Sequence, residues 1–113
     1  MADLAKLSRM ERTDLNTLQE AVWQIVASIP EGKIATYGQI ARLAGYPRHA
    51  RFVGRTLANL PKDTKLPWHR VLGADRTISL RASGGDVEQR RRLDAEGIDF
   101  VGRKVPKGYL WTP

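Results

Sequence analysis

The sequence predicts a mainly helical α+β domain built on a winged helix-turn-helix, and three observations carry that prediction. Apolar residues recur at helical spacing in separate blocks. Two of these blocks are short and joined by a tight Gly-Tyr-Pro turn. The second of the two presents arginines along one side. A chain of 113 residues supports one modest core, and 42% hydrophobic against 27% charged residues is too apolar for intrinsic disorder.

Residues 1–13 read as a polar leader without the apolar stretch of a secretory signal, and residues 14–113 as one DNA-binding domain. Leu15, Leu18, Val22, Ile25, Val26 and Ile29 form the first helical stripe. Thr17 and Glu20 offer a capping box near its start, and Pro30-Glu31-Gly32 stops it. Lys33 to Ala35 predicts half of a small hairpin. Thr36 with Gln39 caps a second helix, whose stripe is Ile40, Leu43 and Ala44 and whose left-handed end is Gly45. A third helix is expected from Arg48 to Leu60, with Phe52, Val53, Thr56, Leu57 and Leu60 inward and Arg48, Arg51 and Arg55 on another face. A proline-bracketed loop follows, then Trp68 to Leu72, a turn at Gly73-Ala74-Asp75 and a strand from Thr77 to Leu80. Arg81 to Gly85 reads as a wing, and Asp86 with Gln89 caps a last helix ending at Gly97. The remainder reads as a short strand and a tail held by Tyr109 and Trp111.

Charge narrows the partner. The formal net charge is +7 and the isoelectric point about 10.3, which favours a polyanion, nucleic acid before an anionic membrane. From Gly32 to Lys62 there are six basic residues and no Asp or Glu. A face needed only for solubility mixes signs, so this run points to phosphate contact. No apolar run is long enough to span a bilayer. The expected location is cytoplasmic, nucleoid-associated if the chain is bacterial. Cysteine is absent, which excludes disulfides, thiolate metal sites and thiol nucleophiles. With His49 and His69 the only histidines, no metal site is expected, and no cofactor is implied.

Pro67-Trp68-His69-Arg70-Val71 is similar to the Pro-Cys-His-Arg-Val signature of the O6-alkylguanine-DNA alkyltransferases. Ile29-Pro30-Glu31-Gly32-Lys33, then Thr36-Tyr37-Gly38-Gln39-Ile40-Ala41, resembles that family's entry into its helix-turn-helix. Ala50-Arg51-Phe52-Val53-Gly54 resembles its recognition helix, and Asn59, Ser83-Gly84-Gly85 and Glu96-Gly97 fall in the same order. The resemblance runs from about Leu18 to Phe100 and implies the fold of that family's C-terminal domain. One position departs: Trp68 stands where the alkyl-accepting cysteine belongs. Chains with this exchange form the alkyltransferase-like proteins, which this sequence resembles. Membership implies a monomer that binds O6-alkylguanine in duplex DNA without repairing it, and that signals to nucleotide excision repair through recognition proteins of the UvrA type.

Chemistry points the same way independently. Dealkylation at O6 needs a soft nucleophile, and thiolate is the common side chain that supplies one; indole is a neutral donor. By resemblance, Asn59, His69, Arg70 and Glu96 are structural remnants of the active site. Tyr37 matches a tyrosine that turns the adjacent phosphate, and Arg51 an arginine finger that fills the place of a flipped base. Their plainer readings are a packed helix-start tyrosine and a phosphate-binding arginine. The resemblance also implies that the recognition helix approaches the minor groove, which small residues at Ala50 and Gly54 permit; Arg48 and Arg55 are expected to contact phosphates, and His49 is either a further phosphate contact or solvated. The lesion pocket is expected from Tyr37, Pro67, Trp68, Arg81, Ala82 and Ser83, with Trp68 either a pocket wall or a core residue. A glycosylase-like enzyme using Glu96, Asp86 or Asp94, and a winged-helix regulator, are the alternatives. Arg90-Arg91-Arg92 reads as a solvated face or a partner contact.

Overall fold

A computed structural model describes residues 4–79 and 85–113, with side chains from Asn16 onward. Helix α1 spans Leu4–Ala27, the short strand β1 Ala35–Thr36, α2 Tyr37–Leu43, α3 Ala50–Ala58, β2 Val71–Leu72 and α4 Gly85–Ala95. One-turn 3-10 helices occupy Trp68–Arg70 and Lys107–Tyr109. The architecture is mainly helical, as expected, with one two-stranded sheet among the described residues.

Helix α1 starts at Leu4, so Thr17 and Glu20 lie inside it and do not cap it, and most of the predicted leader is helical. No Gly or Pro occurs before Pro30 to break the run. Leu18, Val22, Val26 and Ile29 are buried against Ile40, Ala41, Val53, Leu57 and Val71. Each fully buried side chain of this size stabilises by about 1.5–3 kcal/mol. Ile34, Leu72, Leu93, Ile98 and Val105 form a second cluster around the sheet and α4.

The helix-turn-helix forms with local signals that agree. The Thr36 hydroxyl accepts from the Gln39 N–H at 3.1 Å. The reciprocal half of the capping box is absent, because the Gln39 amide donates to the Trp111 carbonyl at 2.8 Å instead. At the far end Gly45 takes φ +89, with Gly45 N–H to Arg42 O at 3.0 Å and Tyr46 N–H to Ala41 O at 2.9 Å. This is a left-handed glycine cap. Helix α3 is shorter than the predicted 48–60, leaving Arg48 in the turn before it and Asn59 as its C-cap.

Three further expectations are corrected. Ala35 and Thr36 pair in parallel with Val71 and Leu72 rather than forming a hairpin. A parallel pair needs a long crossover, which α2, α3 and the proline loop supply. Thr77 contributes a single antiparallel bridge to Lys104 and no strand. Gln89 does not serve as a cap partner: it is buried, and its amide donates to the carbonyls of His69 at 3.1 Å and Val71 at 2.9 Å. The tail is held as expected, with Trp111 N–H bonded to Ile34 O at 2.7 Å and the Asp99 N–H donating to the Tyr109 hydroxyl at 3.1 Å.

Candidate nucleic-acid interface

Packing α2 against α3 leaves an open groove of about 700 Å³ along the outer side of the pair. Tyr37, Ala50, Arg51, Gly54 and Arg55 all line it, so five of the six residues expected at DNA meet on one surface. Arg48 does not line it, because the helix begins two residues later than the spacing suggested. Gly54 is what opens the groove beside Tyr37. A Cβ there would lie 3.9 Å from the tyrosine ring. Gly38, Ala58, Ala74 and Ser79 also line the groove and were not anticipated. Ala58 was within reach of sequence reasoning, since it follows Arg51 and Gly54 at helical spacing.

Trp68 occupies a separate cavity of about 410 Å³, with Leu57, Ala58, Lys62, Gly85 and Arg92 among its walls. That volume falls in the range of small-molecule sites. Ala58 borders both spaces, so the groove and the cavity adjoin at the end of α3. Tyr37 thus lines the groove and Trp68 the cavity. The half-buried indole of Trp68 packs on the main core and also lines the cavity. The Arg92 guanidinium sits 5.3 Å from the indole centroid, within cation–π range. Pro67 precedes the 3-10 turn that carries Trp68 and lines neither space. Arg81, Ala82 and Ser83 lie outside the described residues. Of the residues flanking them, Ser79 lines the groove and Gly85 the cavity.

Behind Trp68 stands a buried polar cluster. His69 Nε2 lies 2.5 Å from Glu96 Oε2, and Arg70 Nη2 2.8 Å from the same oxygen. Gly32 N–H donates to Glu96 Oε1 at 2.9 Å, and Arg70 Nη1 to the Ile29 carbonyl at 2.7 Å. Burial alone raises the Glu96 carboxyl, but Arg70, the Gly32 N–H and His69 outweigh it and hold it down at about 2. Burial, the largest influence on His69, keeps the imidazole below its ordinary value against the pull of Glu96. A neutral imidazole facing a carboxylate places its proton on Nε2. Its Nδ1 is then a bare lone pair, and that atom is buried with no partner. Asn59, by contrast, is an exposed C-cap with no side-chain hydrogen bond among the described residues.

The carboxylates proposed for water activation are occupied or elsewhere. Glu96 is engaged by donors from three residues, Gly32, His69 and Arg70; Asp94 pairs with Arg90 at 3.2 Å, and Asp86 lines a different cleft. The arginines of α4 are likewise neutralised locally: Arg91 and Arg92 both bind Glu88, at 2.6 and 2.7 Å. Those of the groove differ, for Arg51 and Arg55 make no ion pair among the described residues. No cluster of three or more potential metal ligands occurs among the described residues, and no helix there is long and apolar enough to cross a membrane.

Known proteins are similar to this chain in sequence and fold. Residues 17–98 match the model of the 6-O-methylguanine DNA methyltransferase DNA-binding domain. The chain is 50% identical over 100 residues to a DNA base-flipping protein of Escherichia coli K12, covering 88% of this chain and 74% of that one. It is 39% identical over 99 residues to alkyltransferase-like protein 1 of Schizosaccharomyces pombe, covering 81% and 92%. The crystal structure of that yeast protein with damaged DNA containing O6-carboxymethylguanine superposes with a TM-score of 0.81 at 37% identity, over 87% of this chain and 97% of the other. With this fold, this motif order and Trp68 in place of the cysteine, the chain belongs to the alkyltransferase-like proteins of the 6-O-methylguanine DNA methyltransferase family.

Proposed function

We propose that this protein is a non-enzymatic damage sensor that binds duplex DNA through the minor groove and turns an O6-alkylguanine out of the stack. The observation that carries the reading is the junction at Ala58. There a basic groove bearing Tyr37 and Arg51 and a cavity walled in part by Trp68 share a lining residue, in a chain without a thiol. Extruding a base costs a few kcal/mol, less where alkylation has already weakened pairing. Arg51 enters the stack behind the departed base, Tyr37 crowds the neighbouring phosphate, and Ala50 and Gly54 let α3 approach closely. Arg55 contacts phosphate. The flipped base reaches Trp68, and Arg81, Ala82 and Ser83 complete the pocket. The indole grips the alkyl group through apolar contact and cannot accept it. The long-lived complex then passes to excision-repair recognition proteins of the UvrA type.

Binding to O6-methylguanine, larger O6-alkylguanine and unmodified duplexes at matched salt tests this reading. The expected result is tighter binding to both modified duplexes, with the strand mass unchanged on recovery. Equal affinity for all three duplexes, or loss of the alkyl group, overturns it. Arg51→Ala should weaken every complex, and Trp68→Ala should reduce the preference for the lesion.

A further inference from the structure

A second groove of about 520 Å³ continues the first. The two share Gly38 and Ala74, and the second carries Arg42, Arg76 and Trp111. Its far wall is fixed in place. The tail is tied to α2 by the Gln39 amide on Trp111 O at 2.8 Å, and to the strand region by Trp111 N–H on Ile34 O at 2.7 Å. Neither groove is lined by an acidic residue, whereas both the cleft beside Phe100 and the cavity beside Trp68 include one. Asp75, next in sequence, is engaged with the Thr77 hydroxyl at 2.7 Å.

The two arginines are presented differently. Arg42 is exposed, makes no ion pair among the described residues, and lies over Gly38 at the seam, its Nη1 3.7 Å from where a Cβ would be. Arg76 has φ +62, and no other described residue except glycine has a positive φ. A glycine would meet that backbone without strain. Its Nε donates to the Val105 carbonyl at 2.8 Å, which fixes the guanidinium at the groove while leaving its terminal nitrogens outside that bond.

We propose that this second groove is a phosphate track, in which Arg42 and Arg76 hold the DNA backbone on one side of the lesion. The inference rests on the DNA-binding reading above and deepens it: the contact surface extends past the helix-turn-helix to the C-terminal segment. Such contacts add affinity and register without reading sequence or damage.

Salt-dependent binding of Arg42→Gln, with Arg91→Gln as control, tests it. On a duplex extending about one helical turn to each side of the lesion, Arg42→Gln should lower the slope of log affinity against log salt by about 1 and weaken binding about three- to tenfold. The ratio of modified to unmodified affinity should not move. Arg42→Lys should restore most of the loss, since an ammonium also serves phosphate. Trimming the duplex on one side, and not the other, should abolish the difference between Arg42→Gln and wild type. Arg91→Gln, removing a cation already paired on α4, should leave the slope as it was. An unchanged slope for a folded Arg42→Gln, verified by its thermal midpoint, overturns the track. Wild type binding modified and unmodified duplexes alike refutes the sensor reading instead, and the slope comparison still decides the track on unmodified DNA.

Discussion

At the scale of single residues, Glu96 connects the end of α4 to the 3-10 turn and to Gly32 after α1. Glu96→Gln keeps the shape but removes the charge facing Arg70, and should cost about 2–4 kcal/mol, read as a lower urea midpoint. The pH dependence has a definite sign. Glu96 is held at about 2, below its unfolded value, so its contribution is complete above the ordinary carboxylate range and is lost as pH falls from there through about 2. His69 is also lowered, so its share is present above its ordinary value and declines as pH drops through the folded one. Urea midpoints of wild type should fall below pH 5 more steeply than those of Glu96→Gln. Sequence reasoning could place these residues only through the family motif, because nothing in their spacing announces that positions 27 apart meet. It missed Gln89, whose buried amide holds the carbonyls of His69 and Val71. A glutamine on a charged helix carries no mark of burial.

Among the elements, helices were more legible than pairings. The Thr36 cap and Gly45 stop lie within a few residues of their partners, so local chemistry decided both ends of α2. The parallel contact of Ala35 with Val71 joins residues on either side of two helices, and no local signal encodes it. The start of α1 is hidden for another reason: amphipathic periodicity marks only the buried part of a helix, whereas backbone propensity suffices to continue it through polar residues. Two glycine substitutions separate geometry from function. Gly45→Ala forces a side chain into the left-handed region and should cost about 1–2 kcal/mol in chemical denaturation. Gly54→Ala meets Tyr37 at ordinary contact distance, so its stability should stay within about 0.5 kcal/mol, while DNA titration should show weaker binding as the groove narrows.

For the whole molecule, the relevant quantity is where positive charge remains unpaired. A net charge of +7 does not say which arginines meet DNA. The structure separates them: those of α4 are bound to Glu88 and Asp94, and those along α2 and α3 make no ion pair among the described residues. Arg55→Ala should therefore reduce the salt slope of DNA binding by about 1, while Arg90→Ala leaves it unaltered in the same titration. The triple-arginine run, the densest basic motif in the chain, is thus the poorest guide to its partner.

The seating of Trp68 on the main core also bears on how reversible the loss of chemistry is. One base change in a tryptophan codon yields cysteine, and His69 and Glu96 still stand behind the position. Yet replacing a half-buried indole by a small thiol should leave a void costing about 2–3 kcal/mol, measurable as a drop in the midpoint of thermal unfolding. A descendant gaining a thiol by that route would arrive destabilised. The tryptophan thus works as a ratchet, keeping a lineage on the side of recognition.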